Sequence, residues 1–213
     1  MPFLDKSDVL KSLGLREQVI VDLGCGPRKR HVDAIGVDVI DHDAVDLVGD
    51  AIEVLDAFPD DVIDGVYSCH FFEHLSEMET IVDLLARKVK PGGRIEIVVP
   101  HFSNAYFYSD PTHKISFGLY TFCYFCKSDL FRRKVPSYVL RPQLRLVKVD
   151  LVFKASRPFY LRYLFRKCLG YVFNSSTFFK ELYEDCFPFL FPCYEVRYVV
   201  ERLPERGFPL PSG

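Results

Sequence analysis

Asp22, Gly24, Cys25 and Gly26 stand together in the stretch Val19-Ile-Val-Asp22-Leu-Gly24-Cys-Gly26-Pro-Arg28. A carboxylate followed by two glycines one residue apart lets the backbone approach a bound molecule closely, the chemistry of a nucleotide-type pocket. Two further carboxylates follow, Asp38 at the end of Ala34-Ile-Gly-Val-Asp38 and Asp50 within Gly49-Asp50-Ala51. Taken singly, each reads as a helix cap or a solvated charge. Taken in order, at strand carboxyl ends, they mark the edge where doubly wound sheets bind ligands. A dinucleotide fingerprint needs a third glycine three residues after the second, and that position holds Lys29.

The elements that must carry these residues follow from local pattern. Val19, Ile20 and Val21 are β-branched and precede the turn, as a buried strand requires. Seven residues separate Gly26 from the next strand, 34–38, which is near or below the length of a helical crossover. The first crossover is therefore expected to be truncated, with no strong helix dipole aimed at a pyrophosphate, and a ligand without phosphates suits the loop. A helix is expected over 7–13 with Gly14 as its cap. A strand follows near 62–69, and Ser76-Glu-Met-Glu79 forms a capping box for a helix running to about Lys88. Later strands are expected at 95–99, 144–153 and 194–201. Between the last two, Ser156 and Pro158 open a helix with Leu161, Leu164, Phe165, Cys168, Leu169 and Val172 along one face, Arg162 and Arg166 one turn apart on the other face and joined by Lys167, and Arg157 before the helix. The stretch 178–191 is dense in aromatics.

In these motifs the chain resembles the class I S-adenosylmethionine-dependent methyltransferases, over residues 18 to 101. The resemblance implies that Asp22, Gly24, Cys25 and Gly26 hold the methionine end of S-adenosyl-L-methionine, with Asp38 on the ribose hydroxyls and Asp50-Ala51 along the adenine. His70, at the end of the strand 62–69, joins the cofactor contacts. Lys90-Pro-Gly-Gly-Arg94 before Ile95-Glu-Ile-Val-Val99 looks like the turn into the family's fifth strand. The expected fold is α/β, a Rossmann-like, doubly wound, mostly parallel sheet. It has an antiparallel final strand, a truncated first crossover and a helical, aromatic insertion before that strand. One domain is expected over 1–213, with 102–137 and 155–192 as segments on the substrate side.

Composition agrees with one domain: 213 residues, 49% of them hydrophobic, suffice for a substantial core. The opening residues are polar and acidic, and no apolar run of about eighteen residues suggests a membrane span. A cytoplasmic protein is expected. The seven cysteines are scattered and odd in number, and the Cys123/Cys126 pair lacks a second pair, so core packing is expected rather than zinc. Charge is divided: residues 1–100 carry −10 and residues 101–213 carry +8. The acidic half suits a sulfonium cofactor, and the basic half an anionic substrate or surface. The basic helix after Ser156 either covers substrate or lies on the inner face of an anionic membrane.

Methyl transfer from a sulfonium is an in-line displacement, and an alcohol acceptor must also lose a proton to a base. Of the six histidines, His113 is the favoured base, in Ser109-Asp110-Pro-Thr-His113-Lys114, where Asp110 orients an imidazole. His101, directly after Pro100, ranks second. His101, Asp110 and His113 also suit a divalent metal, but spacing alone does not bring them together and no metal is assigned. Pro100-His-Phe-Ser103 and the 109–114 segment resemble methyltransferases of bacterial cell-surface polysaccharide assembly, which implies a sugar hydroxyl on a nucleotide- or lipid-linked glycan as acceptor. The alternatives are a quinone or other small lipid-like acceptor, and a cofactor-binding module without catalysis. Nucleic acid is not expected, because Ser68-Cys-His-Phe-Phe-Glu-His74 stands where base methyltransferases carry an Asn/Asp-Pro-Pro-aromatic motif.

Overall fold

A computed structural model describes residues 3–139, 142–155 and 160–204. Eight strands form one mixed sheet: β1 (Leu4–Asp5), β2 (Ile20–Leu23), β3 (Ile35–Asp38), β4 (Leu47–Val48), β5 (Ile63–Cys69), β6 (Val89–Pro100), β7 (Leu144–Val152) and β8 (Glu195–Arg202). Their order across the sheet is β1-β4-β3-β2-β5-β6-β8-β7. The central five are parallel, while β8 runs antiparallel to both β6 and β7. β1 adds a short antiparallel edge beside β4 that the sequence reading did not contain. From β2 the chain moves one way to β3 and β4, then returns to place β5 and β6 on the other side. The order therefore reverses between β2 and β5, and at such a reversal doubly wound sheets bind ligands beyond the carboxyl ends of their strands.

No helix occupies residues 24–34, so the first crossover is a turn, as its length requires. Helix α1 (Ala51–Ala57) connects β4 to β5, and α2 (Met78–Lys88) connects β5 to β6. Met78, Ile81, Val82 and Leu85 repeat at helical spacing on α2 and are buried in the main core. At such a position truncation to alanine costs about 2–5 kcal/mol.

Three local expectations are corrected. The helix placed at 7–13 is a 3-10 helix over Leu10–Leu15, and Gly14 lies inside it. The Asp5 carboxylate fixes its start by accepting from the amides of Ser7, Val9 and Leu10. The box at Ser76–Glu79 does not close: α2 begins after Glu77 without a side-chain cap, because Ser76 Oγ accepts from Lys114 Nζ at 2.8 Å. A helix α4 (Thr177–Cys186), opened by Ser176 Oγ accepting from Phe179 N, stands where only aromatic density was read.

Helix α3 (Tyr160–Asn174) packs through its last two turns, where Leu169 and Phe173 join a buried cluster with Leu151 of β7, and leaves its first turns open. Phe173 is its one buried residue, and Arg166 Nη1 donates to Lys154 O at 2.6 Å. The apolar positions Leu161, Leu164 and Phe165 are 88%, 60% and 51% exposed. Ser156, Arg157 and Pro158, read as the start of this helix, lie outside the described residues. Glu181 and Glu184 on α4 tie the two segments of the basic half together. Glu184 Oε1 accepts from Leu119 N at 2.6 Å, and Glu181 accepts from the amides of Arg132 and Arg133. Among the described residues, no helix is long and apolar enough to cross a membrane.

Candidate active site

The switch point between β2 and β5 is lined by the glycine turn. Gly24 has φ +67°, and a Cβ there would stand 2.6 Å from Cβ of Phe71, so the segment after β5 packs directly on the turn. Gly26 has φ +57° with open space where its Cβ would be, which leaves room for a ligand against the backbone. Gly26 N donates to Asp38 Oδ2 at 2.9 Å, and Ile40 N donates to Oδ1 at 2.9 Å. Asp38 therefore sits fixed at the end of β3. Each oxygen accepts one bond and retains a lone pair for a ligand hydroxyl.

The remaining residues of the expected cofactor set have firm local duties. Asp22 is buried in β2 and accepts from Arg30 N at 2.6 Å, which organises the crossover loop. Burial pushes its carboxyl above the usual range, against the opposing effect of that bond. Cys25 is buried beside Gly36, and its thiol is pushed up to about 12, chiefly by burial, so it is no nucleophile. Asp50 caps α1 by accepting from Ile52 N at 2.8 Å, and Ala51 is buried as the first residue of that helix.

His70 holds a positive φ of +57° directly after β5. Its Nε2 lies 3.0 Å from Glu195 Oε1 and its Nδ1 3.1 Å from Glu73 Oε1. The bond to Glu195 and then that to Glu73 raise its pKa to about 9, against burial. The ring is an imidazolium joining two buried carboxylates. Burial works against the charge on Glu195, but His70 and Lys154, whose Nζ is 2.7 Å away, hold that carboxyl below its ordinary value.

His101 is fully buried, unlike an accessible base. Its Nδ1 meets Ser103 Oγ at 2.8 Å and its Nε2 meets Glu184 at 3.0 Å, so the ring fastens α4 to the end of β6. The expected trio His101, Asp110 and His113 does not assemble. Asp110 instead accepts from the amide and hydroxyl of Thr112, and its Oδ2 stays 3.7 Å from His113 Nε2, beyond a hydrogen bond. His113 donates from Nδ1 to Phe107 O at 2.9 Å and stacks edge-on to His74, with ring centroids 4.8 Å apart. It is held beside Glu73 and His74, because the amides of Lys114 and Ile115 donate to the carbonyl of Glu73.

Glu73 and His74 were thus absent from the expected site, although the spacing His70-x-x-Glu73-His74 at a strand's carboxyl end was their signal. The arrangement offers a ligand cleft at Gly26 and Asp38, with a group of carboxylates and imidazoles against it.

Residues 21–97 match the family model of a methyltransferase domain. The match covers a little over a third of the chain. Its matched residues run from β2 through the glycine turn to β6, and so contain Asp38, His70, Glu73 and His74. Among solved structures, the chain is similar to a SAM-dependent methyltransferase from Archaeoglobus fulgidus, at 21% identity over 87% of this chain and 86% of that one, with TM-score 0.53. It is also similar to phosphoethanolamine N-methyltransferase 2 from Haemonchus contortus, solved with S-adenosyl-L-methionine, at 13% identity and TM-score 0.50. That match covers 92% of this chain and 52% of the Haemonchus protein, so the chain spans about half of it. A comparison with curated proteins finds no match. The matched stretch is similar to a methyltransferase domain, and the fold is the one these solved methyltransferases share.

Proposed function

We propose that the protein transfers the methyl group of S-adenosyl-L-methionine to a sugar hydroxyl on a nucleotide- or lipid-linked glycan. The cleft at the switch point carries this reading: Gly26 leaves its backbone open, and Asp38 is pinned beside it with lone pairs suited to ribose hydroxyls. Asp22 and Cys25 shape the turn, Asp50 and Ala51 border the adenine end, and His70 closes the cleft from β5. The acceptor oxygen attacks the methyl carbon, the C–S electron pair returns to sulfur to give the thioether, and the hydroxyl proton leaves on the side of His113 and Asp110.

The surroundings of His113 support a glycan. Tyr106 and Tyr108 flank Phe107, whose ring packs on His113, and they are 67% and 69% exposed. Exposed rings beside a site offer flat apolar faces for the C–H side of a sugar. Segments 102–137 and 155–192 act as its covers. The open apolar positions of α3, with Arg162, Arg166 and Lys167 and no acidic residue on that helix, support contact with an anionic membrane carrying a lipid-linked acceptor. The same apolar surface favours a second reading, a quinone or similar lipid-like acceptor.

Incubation with methyl-labelled S-adenosylmethionine and separate pools of nucleotide sugars, lipid-linked glycans and quinones tests the reading. Label is expected in a glycan ether. Label in quinone alone favours the second reading, and cofactor binding without transfer to any pool favours a module without catalysis.

A further inference from the structure

We propose that Glu73, His74 and His113 form a binding site for one divalent first-row transition-metal ion, held by Glu73 Oε2 and by Nε2 of each histidine. One ligand atom from each residue lies within 4.8 Å of the other two. Glu73 is fully buried, and its Oε2 has no hydrogen-bond partner among the described residues, while its Oε1 is steadied by His70 at 3.1 Å. A buried carboxylate oxygen left bare is costly unless something cationic or protic meets it.

Both imidazoles are set to meet the same point. His113 Nδ1 faces the carbonyl of Phe107, which only accepts, so Nδ1 carries the proton and the lone pair lies on Nε2. For His74 the relay is one step longer. Thr112 gives its hydroxyl proton to Asp110 Oδ1 at 2.6 Å, because a carboxylate only accepts. Thr112 Oγ1 then accepts from His74 Nδ1 at 2.9 Å, which again leaves the lone pair on Nε2. Metal-binding histidines are commonly fixed in this way, by an outer carbonyl or carboxylate on the far nitrogen. The outer partners, Phe107 O and the Asp110–Thr112 pair, come from the same loop that delivers His113.

Two imidazoles and one carboxylate suit zinc, iron(II) or cobalt(II) better than magnesium, which prefers oxygen throughout. In a tetrahedral site with ligands about 2.1 Å from the ion, ligand atoms stand roughly 3.4 Å apart, so the trio draws in by at most about 1.4 Å on binding. Three protein ligands leave a position open. Resting on the methyltransferase reading, that position takes the acceptor hydroxyl and makes its proton easier to lose; with His113 Nε2 on the ion, that proton goes to Asp110, whose Oδ2 lies 3.7 Å from His113 Nε2.

Cobalt(II) added to purified, chelator-treated protein is the probe, followed by its visible absorption, with zinc(II) calorimetry alongside and no cofactor present. The expected result is one equivalent bound, lost in a His74→Ala/His113→Ala variant that retains its folded circular dichroism. Thr112→Val, which removes only the outer relay, should weaken binding about 10–100-fold. No binding by the folded wild type overturns the proposal, as does unchanged binding in the double variant, which would place the ion on other residues. Because the titration contains no S-adenosylmethionine, its failure is distinct from failure of the methyltransferase reading, which cofactor calorimetry tests separately.

Discussion

Alanine at Gly24 and alanine at Gly26 look equivalent in sequence but differ in three dimensions. Both glycines hold left-handed φ, +67° and +57°, and that conformation costs an L side chain about 1–2 kcal/mol. At Gly24 the new methyl also meets Phe71, 2.6 Å from its Cβ and 3.0 Å from its ring. Overpacking of this kind adds about 1–3 kcal/mol, so Gly24→Ala should lose about 2–5 kcal/mol against about 1–2 for Gly26→Ala. The ranking reverses for ligand. The Gly26 methyl projects into open space at the cleft and should weaken cofactor affinity about tenfold or more, roughly 1.4 kcal/mol. Urea unfolding monitored by circular dichroism gives the stabilities, and calorimetry with S-adenosylhomocysteine gives the affinities. Equal stability losses would refute the packing of Phe71 on the turn. Unchanged affinity in Gly26→Ala would refute the position of the cleft.

Other outcomes test separate parts of the molecule. His70, raised from 6.5 to about 9, contributes stability that is fully present below pH 6.5 and lost as pH rises through about 9. Because its side chain is 41% exposed, solvent screening reduces the contribution to about 1–2 kcal/mol. His70→Gln should flatten that pH dependence in chelated buffer, and an unchanged slope would contradict the imidazolium bridge. His101→Ala should cost about 2–4 kcal/mol, from lost packing and an unpaired Glu184, with cofactor affinity retained. Loss of affinity without loss of stability would return His101 to the active site. Anionic vesicles should sediment the protein at low salt and release it as salt rises. Leu161→Ser/Phe165→Ser should abolish the association, and cosedimentation unaffected by both changes would remove α3 as the membrane contact.

Four of the five parallel strands were legible because each announces itself locally, through β-branched residues that end near Asp22, Asp38 or Cys69 or follow the turn before Ile95; β4, two residues long, was not. The seven-residue interval after Gly26 likewise left no room for a helix. Features decided by distant partners were not legible. His101 reads as a strand-end base until Glu184, far along the chain on α4, claims its Nε2. The apolar stripe of α3 has helical spacing, yet spacing does not say how much of it is covered, and Leu169 packs with Phe173 while Leu161, Leu164 and Phe165 stay exposed. Glu73 and His74 acquire chemical meaning when the loop around His113 docks on the Glu73 carbonyl. Nothing near residue 73 in the sequence records that docking.

The cleft beside Gly26 and Asp38 is the centre of the account, and isothermal calorimetry with S-adenosylmethionine and S-adenosylhomocysteine tests it most directly. Saturable binding at one site per chain, abolished by Asp38→Ala in a variant that still melts cooperatively, is the predicted result. No heat with either compound on folded wild-type protein, or full binding by Asp38→Ala, would contradict it.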